Sequence, residues 1–115
     1  IDGNDKVFAY SGNDFIEGYL GDDVIYGGVG NDRLFGGEGN DKIFGSQGAD
    51  KIKGEEGNDF VTGGSHHDLI DGGTGNDTLS GDIVLTMPLT QVRNRASSQH
   101  NILCCVKLLS RITVI

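Results

Sequence analysis

A unit of nine residues repeats through most of this sequence. Residues 27–35 read GGVGNDRLF and residues 36–44 read GGEGNDKIF, which are identical at six of nine positions. Extending the same frame in both directions places one aspartate in every unit: Asp5, Asp14, Asp23, Asp32, Asp41, Asp50, Asp59, Asp68 and Asp77. An aliphatic residue follows each aspartate by two positions: Val7, Ile16, Ile25, Leu34, Ile43, Ile52, Val61, Ile70 and Leu79. A short tandem repeat of this kind predicts a stack of similar coils, each burying its apolar residues against the next.

Each unit divides into a six-residue turn, such as GGVGND, and a three-residue extended segment, such as RLF. We expect the turn glycines to adopt positive φ. We expect the same of Asn31, Asn40, Asn58 and Asn76, since asparagine tolerates the left-handed region. The middle residue of a short strand points away from its neighbours, so the aliphatic series should face inward. Because each turn reverses the chain, two units should close one coil, and equivalent residues of every second unit should stack. The frequent glycines and the absence of a 3.6-residue period argue against helices.

Acidic residues are confined to the repeat region. All 17 of them, and all 20 glycines, lie within residues 1–82, where only five basic residues oppose them and the net charge is −12. Residues 83–115 carry four basic residues and no acidic ones. This acidic surface argues against nucleic acid as a partner, because phosphate binding needs a basic face, and it favours cations. The two cysteines, Cys104 and Cys105, lie outside the repeats, so no disulfide or cysteine metal site holds the repeats together.

The aspartates should stack in two columns, one holding Asp5, Asp23, Asp41, Asp59 and Asp77 and the other holding Asp14, Asp32, Asp50 and Asp68. Neighbours in a column would lie about 4.8 Å apart, the spacing between strands, and would repel by about 3.5 kcal/mol at an effective dielectric constant near 20. A cation between stacked pairs would remove this repulsion. A set of oxygen ligands favours calcium over zinc, and magnesium fits less well because it demands a tighter octahedron and retains its waters. The alternative is that the aspartates form only the solvated acidic edge of a β-solenoid.

Residues 3–82 resemble the RTX, or hemolysin-type, calcium-binding nonapeptide repeats of RTX toxins, serralysin-type proteases and type I secreted lipases. The residues that carry the resemblance are the units GGxGxDxUx, where U is aliphatic. The resemblance implies an all-β fold: a right-handed parallel β-roll, which is a two-sheet β-solenoid with two nonapeptides per coil and Ca²⁺ in the turns. It also implies a bacterial protein that is secreted, by the type I route, and that folds when it meets extracellular calcium.

In that family each ion lies between turns two repeats apart and is bound by an aspartate of each turn and by backbone carbonyls. The regular sites implied here join residues 27–32 to 45–50 and residues 36–41 to 54–59. The metal-site residues are then the nine in-phase aspartates named above together with the turn glycines Gly27, Gly28, Gly30, Gly36, Gly37, Gly39, Gly45, Gly48, Gly54, Gly57, Gly63, Gly64, Gly72, Gly73 and Gly75.

Some units depart from the pattern. His66 and His67 replace Gly-Asn in the eighth unit. Two adjacent histidines point apart and no third ligand is evident, so a zinc site is disfavoured and a weakened calcium site at Asp68 is expected. The first two turns, which contain Tyr10 and Tyr19, are also irregular, and terminal repeats are commonly so.

Aromatic side chains recur on one outward face. Phe8, Tyr26 and Phe44 occupy the same position in every second unit and should therefore stack. Two interpretations stay open: a neighbouring domain or partner covers this face, or the rings strengthen pairing between coils.

We expect residues 1–82 to be the roll and residues 83–115 to be a non-repeat tail, either a cap or an out-of-frame end. The chain starts with Ile inside a repeat, so we expect a longer parent protein; this sequence predicts neither an N-terminal signal peptide nor a transmembrane stretch. No catalytic constellation is present, which predicts a calcium-binding module that is not itself an enzyme. The alternatives are the C-terminal fragment of a protease, lipase or epimerase with its activity elsewhere, and an adhesin spacer.

Overall fold

The computed structural model describes residues 2–81 and the backbone of residues 91–93. These residues form ten β-strands and, within the described ranges, no helix. In chain order the strands are β1 (Lys6–Phe8), β2 (Phe15–Glu17), β3 (Val24–Val29), β4 (Arg33–Glu38), β5 (Lys42–Gln47), β6 (Lys51–Glu56), β7 (Phe60–Thr62), β8 (Leu69–Asp71), β9 (Thr78–Ser80) and β10 (Gln91–Arg93).

Alternate strands belong to alternate sheets. The first sheet has the order β1-β3-β5-β7-β9 and the second has the order β10-β8-β6-β4-β2, and every pairing is parallel. From β1 to β9 each residue pairs with its equivalent two repeats later, as Ile25 does with Ile43 and Leu34 with Ile52. The fold is thus a two-sheet parallel β-solenoid with two repeats per coil, which confirms the predicted architecture and period.

The core is a single file of aliphatic side chains between the two sheets. It consists of Ile25, Leu34, Ile43, Ile52, Val61, Ile70 and Leu79, none of them more than 1% exposed, with Ile16 packed against them. One inward aliphatic residue per strand leaves room for no second layer. The prediction that the aliphatic series faces inward is confirmed. Interactions in the turns must therefore contribute to the stability of the fold.

Two positions in each turn require positive φ, and the asparagines are not among them. The second turn position has positive φ in Gly28 and Gly37 and also in Ser46 (81°) and Glu55 (77°). The fourth turn position has positive φ at Gly30 and at the equivalent glycines. In the eighth unit His66 occupies this position, with a φ of 78°. The expectation that the asparagines are left-handed was wrong, because glycine already meets that need and the asparagine side chain has another role, described below.

The predicted aromatic stack is present on the outer face of the first sheet. The ring centroids of Phe8 and Tyr26 lie 4.8 Å apart with an interplanar angle of 1°, and those of Tyr26 and Phe44 lie 4.8 Å apart at 9°. Phe60 lies in the neighbouring column, opposite Lys42, and makes a diagonal, tilted contact with Phe44. The stack joins three successive coils, as the interpretation based on pairing between coils requires.

The regular period ends after β9. Strand β10 pairs with β8, but Val92 lies opposite Ile70, which is a longer sequence offset than the two repeats that separate the partners elsewhere. Extra residues therefore enter the chain between these two strands. The rest of the expected tail, with the apolar stretch 102–115, lies outside the described residues.

Candidate metal centre

The in-phase aspartates lie in two rows along the turns, and most of them are buried. Asp23, Asp32, Asp41 and Asp50 are each 1% exposed, and Asp59, Asp68 and Asp77 are also buried. Asp5 and Asp14, in the first coil, are partly buried. Carboxylates are rarely buried unless something compensates their charge. Most of the aspartates that the sequence predicts as ligands are therefore buried carboxylates whose negative charge requires compensation.

From Asp23 onward, one oxygen of each in-phase carboxylate joins two coils. Oδ1 of Asp23 accepts a hydrogen bond from the backbone N–H of Asp5 at 2.8 Å. The same bond recurs at every later step of both rows, each time with a donor two repeats earlier and a length of 2.8–2.9 Å. The carboxylate thus fixes the preceding coil through its Oδ1 atom, and the Oδ2 atom is left for another partner.

Seven of the Oδ2 atoms lack hydrogen-bond partners within the described residues. Those of Asp5, Asp14, Asp23, Asp32, Asp41, Asp50 and Asp59 are buried and accept no hydrogen bond there. A buried anionic oxygen without a partner is costly, and a fold that repeats it seven times must compensate it by some other means. A bound cation would supply that compensation.

The first glycine of each turn leaves space beside this oxygen. A methyl group on Gly27 would lie 2.6 Å from Oδ2 of Asp32 and 3.0 Å from the carbonyl oxygen of Gly45 in the next coil. The same two kinds of oxygen converge beside Gly18, Gly36, Gly45 and Gly54. These glycines do not have positive φ, so glycine is needed here for space rather than for conformation. The repeat pattern alone does not reveal this reason.

The asparagines hold the next coil. Oδ1 of Asn40 accepts the backbone N–H of Asn58, and Oδ1 of Asn58 accepts that of Asn76, at 2.8 and 2.9 Å. Asparagine and aspartate therefore bond in opposite directions along the stack. The eighth unit lacks this pattern. Ala49, at the asparagine position two repeats earlier, has no side-chain oxygen to accept a backbone N–H from this unit. His66 Nδ1 instead accepts a longer hydrogen bond, of 3.3 Å, from the Gly48 N–H.

Burial raises the pKa of the central carboxyl groups. It raises the pKa of Asp41 and of Asp50 to about 6 and that of Asp59 to about 7. The hydrogen bond that each carboxylate accepts from a backbone N–H lowers its pKa in part. The negative charge of the preceding aspartate in the row raises the pKa further. The direction agrees with the repulsion expected within each row. Burial therefore disfavours the charged form of all three carboxyl groups, and most strongly that of Asp59.

The side chains alone do not complete a metal site. Among the described residues no three His, Cys, Asp or Glu side chains converge as a metal-ligand group. Calcium takes six to eight oxygens and accepts backbone carbonyls, whereas zinc prefers a compact set of nitrogen and sulfur ligands. Buried carboxylate oxygens next to turn carbonyls therefore fit calcium and do not fit zinc.

The structure brings together the turns that the sequence pairs. Asp32 and Asp50 are joined through a hydrogen bond, as are Asp41 and Asp59, which places residues 27–32 against 45–50 and residues 36–41 against 54–59. The predicted glycines line the same turns. Beside Gly63 and Gly72 the nearest atoms all belong to the aspartate of the same turn, so a convergence of two coils is not evident at this end of the described residues.

Comparison with known families agrees with this geometry. A family model described as the RTX calcium-binding nonapeptide repeat matches the chain in four overlapping copies, over residues 1–34, 18–52, 26–61 and 44–79. The copies together span well over half of the chain. No curated protein and no solved structure gives a significant match. In the described part of the chain no helix is long and apolar enough to cross a membrane.

Proposed function

Because the chain belongs to the family of RTX calcium-binding nonapeptide repeats, which bind Ca²⁺, we propose that residues 1–82 are a calcium-dependent folding module of a secreted bacterial protein. The observation that carries the proposal is the row of buried Oδ2 atoms without described partners, most of them beside a glycine and a carbonyl oxygen of the next coil. A solvated acidic edge does not account for them, since solvated carboxylates would be exposed.

The proposed ligands are the stacked aspartates, with carbonyl oxygens from the turns that contain the glycines. Seven pairs of aspartates lie two repeats apart, from Asp5 and Asp23 to Asp59 and Asp77, so seven ions is the upper limit. Calcium supplies positive charge between coils. The chain's own groups do the rest: the Oδ1 atoms and the asparagines hold successive coils in register, and the first glycines keep the space open.

The metal-free chain should be largely disordered. A net charge of −12 on residues 1–82 and a one-residue-wide core oppose compaction, and ordering of a metal site couples binding to folding. Calcium at the low concentration inside a cell would leave the chain unfolded, and the higher concentration outside would fold it by mass action. Export followed by folding is consistent with this order of events.

Calcium titration of the purified chain tests the proposal. Far-UV circular dichroism in chelator should show a disordered chain that gains a β spectrum on adding calcium. Isothermal titration should show several sites in the micromolar to millimolar range. Magnesium at the same concentrations should produce little β structure. A complete β spectrum in chelator, or a stoichiometry of one or none, would overturn the proposal.

Two matched variants test the assignment of ligands. Asn at position 41 or 5 keeps an Oδ1 acceptor and removes the charge. Asp41→Asn should raise the calcium midpoint more than Asp5→Asn, because Asp41 is stacked between Asp23 and Asp59 whereas Asp5 has a described neighbour on one side only. Equal shifts in the two midpoints would contradict the stacked sites.

A further inference from the structure

A groove of about 210 Å³ lies on the outer face of the second sheet, away from the calcium turns. Its walls include Arg33, Lys51 and Lys53, and its apolar lining includes Phe35 and Leu69. Three of the five basic residues of the repeat region therefore meet in one place. The groove is unrelated to the repeated turn motif, since these residues occupy the variable outward positions of the strands.

Two of the positive charges lie side by side at one end of the groove. Arg33 and Lys51 are register partners on β4 and β6, and like charges on directly neighbouring strands are destabilising. Among the described residues, no carboxylate forms an ion pair with either of them. The fold thus concentrates positive charge where an anion would relieve it.

Lys53 has a different setting at the other end of the groove. Its ammonium group lies 5.9 Å from the centroid of the Phe35 ring, a cation–π contact that fixes its position without neutralising it. Its register partner on β8 is Asp71, the acidic residue that lines the groove, and Asp71 is buried with Oδ1 accepting the Gly73 N–H. Asp71 therefore offsets the charge of Lys53, and the surplus positive charge belongs to Arg33 and Lys51.

Calcium changes the electrostatic setting of this groove. Most acidic residues lie in the turns, whereas all five basic residues of residues 1–82 occupy outward strand positions. Without metal the net charge of −12 repels anions from the whole surface. Seven calcium ions would add fourteen positive charges and bring the repeat region to about +2, and the field over the groove would then be positive. Folding is also what brings Arg33 and Lys51 onto neighbouring strands.

We propose that this groove binds an organic anion with two acid groups about 5 Å apart, the spacing of neighbouring strands, and that it does so only in the calcium-loaded state. Arg33 and Lys51 would each contact one acid group. The carbon frame between the acid groups would lie against the apolar lining at Phe35 and Leu69. The acid groups could belong to a free dianion or to successive units of an acidic polymer. The calcium dependence rests on the proposed function.

The test uses sulfonated and sulfated probes, because carboxylates and phosphates would remove calcium from the protein. Benzene-1,3-disulfonate represents a free dianion, dextran sulfate an acidic polymer, and uncharged dextran the control. Titration calorimetry of the full chain in saturating calcium should show binding of at least one of the two charged probes. It should show no binding of uncharged dextran. Binding of the disulfonate identifies a small dianion as sufficient. Binding of dextran sulfate alone indicates a polymer.

Two double variants separate a site from general attraction. Arg33→Gln with Lys51→Gln should weaken binding by about tenfold or more, since charge-assisted contacts to both acid groups are lost. Lys6→Gln with Lys42→Gln removes the same charge from the first sheet, where Val24 separates the two lysines, and should change affinity less than twofold. Equal losses in both variants would overturn the proposal.

Circular dichroism and calcium titration of each variant show whether it folds, so that a failure of the roll is not mistaken for a failure of the groove. A chain that folds with calcium but binds neither probe would refute the groove and leave the calcium proposal intact. A chain that binds a probe equally well in chelator would refute the calcium dependence.

Discussion

From Asp23 onward, each in-phase aspartate accepts a hydrogen bond from the preceding coil with one oxygen, and we propose that the other oxygen binds the metal. In Asp41, Oδ1 accepts the N–H of Asp23 and so aligns the preceding coil, while Oδ2 has no described partner and lies beside Gly36. A neutral amide could perform the alignment, but only an anion binds a cation strongly. We therefore assign the charge to the proposed metal site and not to the hydrogen bond.

The space beside the first glycine gives a prediction at this scale. Gly27→Ala should raise the calcium midpoint severalfold, because the added methyl group would enter the space between Asp32 Oδ2 and the Gly45 carbonyl. Gly3→Ala is the matched control: no atom lies within 4 Å of its added methyl group, but φ is 114°, so only backbone strain is introduced. Calcium titration followed by circular dichroism measures both. A larger shift for Gly3→Ala would mean that conformation, and not space, explains the glycines.

At the scale of single elements, the aromatic stack is the part of the outer surface that most clearly joins strands. Tyr26 has a close, nearly parallel ring on each side, whereas Phe8 has one such partner and a longer contact with Tyr10, at 6.2 Å and 27°. Lysines occupy the neighbouring outward column of the same sheet at Lys6 and Lys42. The first sheet therefore carries an apolar column beside a partly basic one.

Tyr26→Ala should lower the free energy of unfolding in calcium by about 1–3 kcal/mol, since two stacked contacts of about 0.5–1.5 kcal/mol each are lost. Phe8→Ala should cost less, because only one of its two ring contacts is close and parallel. Urea denaturation of the calcium-loaded chain gives both values. If neither variant changes the stability of the isolated chain, pairing between coils is not the role of the rings, and cover by another domain becomes the better interpretation.

The sequence allowed the strands to be predicted well and the turns only in part. A strict period identifies which residues stack and which side chain of each strand points inward, because both follow from counting. It does not reveal that the Asn58 side chain accepts a hydrogen bond from the Asn76 N–H, nor that the Asn58 backbone does not adopt the left-handed conformation. Nor does it show that Glu55 accepts a positive φ of 77° where other units have glycine. Such details depend on contacts between coils, and a one-dimensional pattern does not contain them.

At the scale of the whole molecule, the buried carboxyl groups make the metal-free roll sensitive to pH. The pKa values of Asp41, Asp50 and Asp59 are raised by burial to about 6, 6 and 7, above the ordinary value of 3.8. The folded chain therefore binds more protons than the unfolded chain between about pH 4 and pH 7. Its free energy of unfolding without metal should fall as the pH rises through this range.

Circular dichroism of the calcium-free chain at pH 8 and pH 5 tests this. More β structure is expected at pH 5, and the calcium midpoint should be higher there because protons compete for the same oxygens. A triple variant with Asn at positions 41, 50 and 59 should lose most of the pH dependence. More β structure at pH 8 than at pH 5 without calcium would show that burial of the carboxyl groups does not control the stability.

The pairing of each strand with the one two repeats later also determines which insertions and deletions the protein can tolerate. Loss of two repeats removes one coil and leaves every later strand in its own sheet. Loss of a single repeat moves each later strand to the other sheet, so that a deletion just before β5 would carry Phe44 away from the sheet of Tyr26 and bring Lys53 into it. The aromatic stack would then be divided, and the groove would lose Arg33 and Phe35 with the deleted repeat, although every remaining repeat would be intact. In a gene of this kind the heritable unit of length is therefore two repeats, and a change by one repeat alters the surface without altering the motif.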